Sequence, residues 1–318
     1  MADVYTGTSA LSNVIAAAVD QYVRAELRHT PMLRSIADTR PVAVDKPGSS
    51  VALYIHSDLA VSTTPLSETV DPDAVALPNP TSVTLTPQEY GNATIATVKA
   101  RATSFADVDP YQRDAVMYNM RDSLDVLVQA VISGGTNVRY ANNKTATNTI
   151  TSQDTIKSTD VRYIVAKLRG NAAAGKRGDL YGAWIHPDVS CDLRSETGAG
   201  AWRDSHQYAA PGVFWPGEIG VYEGAFFVET ARTKVAVGAG ADGTDAGAGA
   251  DQVYSTIFAG KEALAEGVVI EPEVRIGVVP DKLNRFNPMG WYGFLGWTRF
   301  REKALYRPES GSSLAPNS

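Results

Sequence analysis

The first amphipathic pattern of the chain predicts a helix from Ser12 to about Arg28. Ser12 is suited to cap the first turn through its hydroxyl. Apolar residues then recur about every four positions and form one continuous stripe, consisting of Val14, Ile15, Ala18, Val19, Tyr22, Val23 and Leu27. This stripe could pack on its own domain, or it could lie along a neighbouring subunit, because the segment that follows it is extended.

Residues 39–103 predict short strands and an extended hairpin rather than helices. Seven prolines interrupt this region, and proline disrupts a helix interior. Strand-like runs occupy 51–55, 83–86 and 93–100, and Thr94, Ala96, Val98 and Ala100 alternate along one face of the last run. The polar middle, 62–80, carries Glu68, Asp71 and Asp73. Because it has too few large apolar residues for its own core, we expect this hairpin to lean on another surface.

The clearest helix predicted from the sequence begins at Asp109-Pro110 and ends before Gly134-Gly135. Aspartate as the N-cap and proline at the first helical position form a strong start signal. About 24 residues would give a length of about 36 Å, at a rise of ~1.5 Å per residue. Its apolar face consists of Val116, Met120, Leu124, Leu127, Val128, Val131 and Ile132.

The second half of the chain predicts a mixture of strands and helices. A helix is expected at 158–170, then a strand at 181–185 ending in His186-Pro187, another helix, and a strand bent at Gly220 and Gly224. A Gly/Ala/Asp-rich insert at 237–251 reads as a flexible surface loop. Further along we expect a strand at 253–258, a short helix in the KEAL sequence at 261–264, an alternating run at 268–279, an aromatic strand buried on both faces at 286–300, and a loose tail from residue 308.

Composition places the chain among ordinary globular proteins. Its 318 residues are 44% hydrophobic and 20% charged, with a net charge of −6. This charge argues against tight, sequence-independent binding to nucleic acid phosphates. A single cysteine, Cys191, cannot form an internal disulfide, and the run Val14–Val19 is too short for a membrane span. We therefore expect synthesis in the cytoplasm.

Two sequences resemble phosphate-binding motifs, and both lack the required context. Residues 170–177 approximate a P-loop, but Arg177 stands where serine or threonine must reach magnesium, and the motif follows a predicted helix. Residues 238–243 match a dinucleotide fingerprint, but no helix follows to direct its N-terminus at a pyrophosphate. His186 is expected to serve as a helix-entry residue rather than a base. We expect no catalytic, metal or cofactor site.

The ordered set of these segments resembles the major capsid proteins of tailed phages. The resemblance rests on the opening helix, on FADVDPYQRDAVMYNMRDSLDVLVQAVISGG, on the block at 181–232 with its strand, HPD, helix and GEIGVYEG, on FAGKEALAEGV, and on DKLNRFNPMGWYGFLGWTRF. It implies an α+β chain with the Johnson-type capsid fold, which herpesvirus shells and encapsulins share. The implied parts are an N-terminal arm (1–44), an extended β-hairpin loop (45–104), a peripheral domain with a long spine helix (105–157), an apical α/β domain (158–267), and return strands with a C-terminal tail (268–318).

The resemblance also implies that the protein functions through surfaces that bind other subunits rather than through catalysis. We expect self-assembly through hexamers and pentamers into the icosahedral head around a double-stranded DNA genome, with a portal protein, a separate scaffolding protein and a decoration protein as partners, and no membrane. An encapsulin-type cargo shell is the alternative, and a nucleotide-binding enzyme is a remote one. Only Lys46 and Lys99 lie near the hairpin, so no isopeptide cross-link is expected. The predicted subunit-interface residues are Val14, Ile15, Val19, Tyr22, Val23, Leu27, Glu68, Asp71 and Asp73.

Overall fold

A computed structural model of the protein describes residues 28–41, 50–66, 68–104, 108–197, 202, 217–241, 251–277, 283 and 285–314. Within these ranges the helices are Val98–Thr103 (α1), Val108–Ser133 (α2), Ser158–Gly170 (α3) and Pro187–Ser195 (α4). Short 3-10 helices occupy Leu33–Ile36, Ala141–Asn143, Thr147–Thr149 and Glu302–Ala304.

The strands of the described residues are numbered here in chain order. They are Asp38–Pro41 (β1), Val51–Ile55 (β2), Thr81–Leu85 (β3), Gln88–Thr97 (β4), Val138–Tyr140 (β5), Tyr181–Ile185 (β6), Glu218–Tyr222 (β7), Ala225–Glu229 (β8), Val235–Ala236 (β9), Val253–Ser255 (β10), Ile257–Ala259 (β11), Leu264–Ile276 (β12), Phe286–Arg299 (β13) and Leu305–Ser310 (β14).

Eight of the described strands form one sheet that is covered on both faces. Their order is β7-β8-β6-β11-β14-β10-β9, with β5 parallel to β14. Side chains that alternate along β6 enter two different cores, as the two-residue period of a strand requires. Tyr181, Ala183 and Ile185 pack with α3 and α4, whereas Trp184 packs with the end of α2. Burial on both faces explains why β6 is apolar throughout.

A second sheet of four described strands lies against α2. Its order is β1-β12-β13-β4, and β1 is parallel to β12 while the other pairs are antiparallel. Met289, Trp291 and Leu295 of β13 are buried, but Tyr292 and Phe294 between them are only half-buried. The aromatic strand is therefore more buried on one face than on the other, which corrects the prediction of burial on both.

The long helix α2 confirms the helix predicted at this position. Val116, Leu124, Val128 and Ile132 are buried as expected. The predicted cap is wrong, because Asp109 lies inside the first turn of a helix that starts at Val108. Negative charge in the first turn is still favourable, since it faces the positive end of the helix dipole.

The block at 181–232 has the predicted strand and helix but ends differently. His186 caps α4, and its Nδ1 accepts a hydrogen bond from the Asp188 N–H at 3.3 Å. The single bent strand is in fact the hairpin β7–β8. Glu223 and Gly224, with φ of 48° and 83°, form its two-residue turn, as a type I′ turn requires.

Four local predictions are wrong. The first fails for a local reason, because the Thr97 side chain accepts the Ala100 N–H and caps α1. In the other three, strand pairing overrides local sequence. Val98 and Ala100 belong to α1, so the strand predicted at 93–100 ends at Thr97. The strand predicted at 253–258 is interrupted at Thr256. The KEAL sequence is a turn leading into β12, where Leu264 pairs with Arg299. Residues 308–312 of the predicted loose tail are not loose, because they are buried and β14 pairs with β5, β10 and β11.

The central part of the Gly/Ala/Asp insert, residues 242–250, should be dispensable for folding. Residues 242–250 lie outside the described residues, but the positions that flank them are hydrogen-bonded: Gly240 N–H donates to Asp251 O, and Asp251 N–H donates to Ala241 O. A short Gly-Ser link replacing 242–250 should change the free energy of unfolding by about 0.6 kcal/mol or less, the cost of a two-fold change in loop length. Denaturant titration measures this change.

A longer deletion serves as the control for the insert. Removing Gly240 and Ala241 as well should cost more, because Ala241 N–H donates to Ile150 O at 2.8 Å and a buried acceptor would lose its donor. If the short replacement is as damaging as the long one, the insert is a packed element.

Candidate interaction surface

The hairpin β2–β3 anchors a long exposed loop. Val51 pairs with Leu85 at its base and Ile55 with Thr81 at its far end. Leu85 is buried at the base, while the outward residues Tyr54 and Thr84 are exposed. Residues 56–80, here called the hairpin loop, follow without regular secondary structure wherever they are described. The paired strands confirm the predicted hairpin, whereas its packing on another surface stays a prediction.

The hairpin loop exposes an unusual amount of apolar side chain. Six of its residues are between 52% and 88% exposed, namely Leu59, Val61, Leu66, Val70, Val75 and Leu77. Single exposed apolar residues are ordinary, but a group of them on one segment is typical of a surface that binds another molecule. Sequence reasoning had treated this segment as polar and had not identified these six side chains.

The predicted acidic residues lie among these apolar ones. Glu68, Asp71 and Asp73 are all exposed. In the part of the chain that the structure describes, no group of three or more histidine, cysteine, aspartate or glutamate residues is arranged to hold a metal ion.

The six predicted arm residues lie outside the described residues. They are Val14, Ile15, Val19, Tyr22, Val23 and Leu27. The described chain begins beside α2, where Arg28 forms an ion pair with Asp114 at 2.8 Å and lies 4.7 Å from the ring centre of Tyr118. These contacts fix the position from which the predicted arm would depart.

A buried aspartate holds the start of the described chain against α2. Asp125 accepts hydrogen bonds from three successive backbone N–H groups, those of Met32 (3.1 Å), Leu33 (2.8 Å) and Arg34 (3.3 Å). Arg232 Nε lies 3.6 Å from the same carboxylate. Burial raises the pKa of Asp125 above its ordinary value, although these donors and Arg232 act in the opposite direction.

A second buried acid joins the same segment to the four-stranded sheet. Glu266 is 2% exposed and accepts hydrogen bonds from Arg34 (2.7 Å), Thr39 (3.0 Å) and Trp297 (3.1 Å). Burial lowers the pKa of Arg34, but Glu266 and Glu271 outweigh it, so this pKa lies above its ordinary value. Sequence reasoning missed both acids. The available signal was their position next to buried apolar residues, Leu124 for Asp125 and Ala265 for Glu266.

The residues of the P-loop-like sequence make structural contacts instead. Lys176 Nζ donates to Ile36 O (2.9 Å) and to Asp38 (2.7 Å), and Arg177 pairs with the buried Glu218 at 3.1 Å. This sequence follows α3, as predicted. Its cations are therefore committed to contacts within the chain.

His186 is a helix-capping residue, as predicted. Burial lowers the pKa of its imidazole below the ordinary value, so the ring is neutral near pH 7 and its Nδ1 can accept the N–H of Asp188.

Among the described helices, none is both long enough and apolar enough to span a bilayer.

Comparison with known families gives a match over most of the chain. The model of a family described as "Phage capsid protein" matches residues 22–304. A search of curated protein sequences gives no significant match.

Several solved structures with a similar fold are phage capsids. The capsid of Ralstonia phage GP4 has a TM-score of 0.73 at 12% identity, with coverage of 95% of this chain and 97% of that one. The capsid of cyanophage Pam1 has a TM-score of 0.73 at 11% identity, covering 99% and 100%. The capsid of cyanophage P-SCSP1u has a TM-score of 0.71 at 12% identity, covering 97% and 96%. These matches confirm the predicted α+β capsid fold.

Proposed function

The chain belongs to the phage capsid protein family, and we propose that its copies build the icosahedral head that encloses the double-stranded DNA of a tailed phage. It is a structural capsid protein and a component of the virion. The family match favours this role over an encapsulin-type cargo shell and over a nucleotide-binding enzyme. The protein works by assembly, with no catalytic step.

The hairpin loop is the observation that carries this proposal. It presents six exposed apolar side chains and has no regular secondary structure where it is described. Covering these side chains with another copy removes apolar surface from water, which favours association. In a protein that assembles from many copies, a neighbouring copy can cover such a segment, so the segment need not be buried in the core of its own chain.

The partners follow from the same role. Copies form hexamers and pentamers, joined by a portal protein at one vertex, built with the help of a separate scaffolding protein, and covered by a decoration protein. The net charge of −6 suits a wall that encloses DNA without binding its sequence. Synthesis takes place in the cytoplasm of the host bacterium.

The chain divides into five working parts in this proposal. They are the arm (1–44), the extended β-hairpin loop (45–104), which includes the hairpin loop at 56–80, the peripheral domain with spine helix α2 (105–157), the apical domain (158–267) and the return strands with the tail (268–318). In the described residues, β14 joins the sheet that contains β6, and β12 crosses position 267. The last part therefore contributes to both sheets.

The arm is proposed to act between subunits through its apolar stripe. Val14, Ile15, Val19, Tyr22, Val23 and Leu27 would contact a neighbour, while Glu68, Asp71 and Asp73 would meet basic residues of another copy. Val19→Asp or Val23→Asp should block assembly and leave a folded subunit, because burying an unpaired charge costs several kcal/mol. Size-exclusion chromatography measures this effect, and a normal shell peak from either variant would contradict the assignment of the arm.

Electron microscopy of the purified protein tests the proposed function. Uniform polyhedral shells, with a matching fast-sedimenting species, are the expected result. A protein that stays monomeric across concentration, salt and pH, with or without a scaffolding protein from the same phage, would contradict the proposal.

A further inference from the structure

A pocket with a basic rim lies beside the far end of the hairpin β2–β3, where the hairpin loop begins. Its volume is about 490 Å³, within the range of about 300–1,000 Å³ that is common for ligand pockets. Apolar atoms of Ile55, Ala173, Phe300 and Ala304 contribute to its lining. Here it is called the basic pocket.

The cations of the basic pocket exceed the acids that are available to neutralise them. Lys261, Arg301 and Lys303 line it together with Glu262 and Glu302. Glu262 is shared between Arg301 (3.0 Å) and Arg40 (2.7 Å). Glu302 pairs with Arg299 at 2.8 Å. Both acids are thus engaged by arginines, and the exposed Lys261 and Lys303 give the rim its surplus positive charge.

The hairpin loop has the complementary chemistry. Its central stretch interleaves Leu66, Val70 and Val75 with the carboxylates of Glu68, Asp71 and Asp73, and all of these side chains are exposed. Apolar side chains would enter a pocket lined by Phe300 and alanines, while the carboxylates would face the lysines on its rim. Complementary charges of this kind fix the register between two surfaces.

The loop of the same chain does not occupy its own pocket. Ile55, where the loop begins, lines the pocket, but none of the acidic residues does. A loop that departs from its own pocket and enters that of a second copy makes a head-to-tail contact. Contacts of this type close into rings when the rotation between copies allows it, as hexamers and pentamers require.

We infer that the basic pocket binds the acidic stretch of the hairpin loop, residues 66–77, from a second copy of this chain. This inference rests on the proposed assembly into shells and names the surface that receives the loop. Lys261 and Lys303 supply the charge recognition, and Phe300 supplies an apolar wall.

Charge exchange tests this contact. The pocket variant Lys261→Glu with Lys303→Glu should lower the yield of shells by about ten-fold or more, since like charges facing each other oppose association. The loop variant Glu68→Lys with Asp71→Lys and Asp73→Lys should do the same. A chain that carries all five changes should give a yield of shells within about three-fold of that of the unmodified chain. In that chain the loop is positive and the pocket rim is negative, so the attraction between the two surfaces is restored.

A matched variant controls for the loss of positive charge. Lys167→Glu with Lys234→Glu changes two exposed lysines outside the basic pocket and should assemble normally. Circular dichroism and sedimentation of free subunits confirm that each variant is folded. Normal assembly of the pocket variant or of the loop variant would overturn the inference. Failure of the chain with all five changes to recover assembly would also overturn it. In both cases shells from the unmodified chain would leave the proposed function intact, whereas their absence would count against that function itself.

Discussion

Replacing Val61 and Leu77 with aspartate should abolish shell formation and leave the subunit folded. These side chains are 88% and 80% exposed in the single chain, so changing them should alter the free energy of unfolding by about 0.5 kcal/mol or less. In the shell the same positions would place charges in an apolar contact, at a cost of several kcal/mol each. Because every copy repeats the contact, the loss multiplies over the whole particle.

Val237→Asp is the matched control for this pair. Val237 is 77% exposed but lies outside the hairpin loop, so its change should leave both folding and assembly unaltered. Sedimentation velocity separates shells from subunits, and thermal unfolding reports the stability of the subunits. Shells at normal yield from the double variant would show that the apolar residues of the loop stay in solvent after assembly.

Asp125→Ala should destabilise the folded subunit by about 3–5 kcal/mol, the cost that is typical of removing one partner from a buried charge network. The carboxylate accepts three backbone N–H groups and faces Arg232. Its removal leaves these donors in a site that is 2% exposed, and each unsatisfied buried donor carries a desolvation penalty. The attachment of segment 28–36 to α2 should therefore weaken.

Asp114→Ala provides the comparison on the same helix. Asp114 pairs with Arg28, but its side chain is 56% exposed, so its loss should cost about 1 kcal/mol or less. Asp125→Asn should fall between the two, because it keeps one acceptor oxygen but loses the charge that faces Arg232. Urea unfolding of the subunits measures all three variants. Equal effects of the two alanine variants would mean that the segment is held by other contacts.

Periodicity and caps predicted the elements that are stabilised locally. The stripe of α3 and the proline-started helix after His186 both lie where the sequence placed them. Local propensity failed where strand pairing decides the outcome. The KEAL sequence favours a helix, yet Leu264 enters a strand paired with β13. Pro308 suggested a loose tail, yet its carbonyl oxygen accepts a hydrogen bond from Thr256 within the larger sheet.

The candidate surface could be predicted in outline but not in detail. Proline spacing and low apolar content indicated an extended hairpin with exposed acids, and Glu68, Asp71 and Asp73 are exposed. The basic pocket could not be predicted, since Ile55, Lys261 and Phe300 come together only after the strands pair. The buried role of Asp125 depends on a segment about 90 residues away in sequence, which no local pattern reveals.

Amide hydrogen exchange in residues 56–80, measured in free subunits and in shells, tests most directly whether other copies complete the hairpin loop. The backbone of this loop has no regular secondary structure where it is described, so exchange should be fast in the free subunit. Exchange in α3, whose apolar face is buried within the chain, should be slow in both states and serves as the internal reference. We expect exchange in the loop to slow strongly on assembly. Equal exchange in both states would contradict a role of the loop as a contact between subunits.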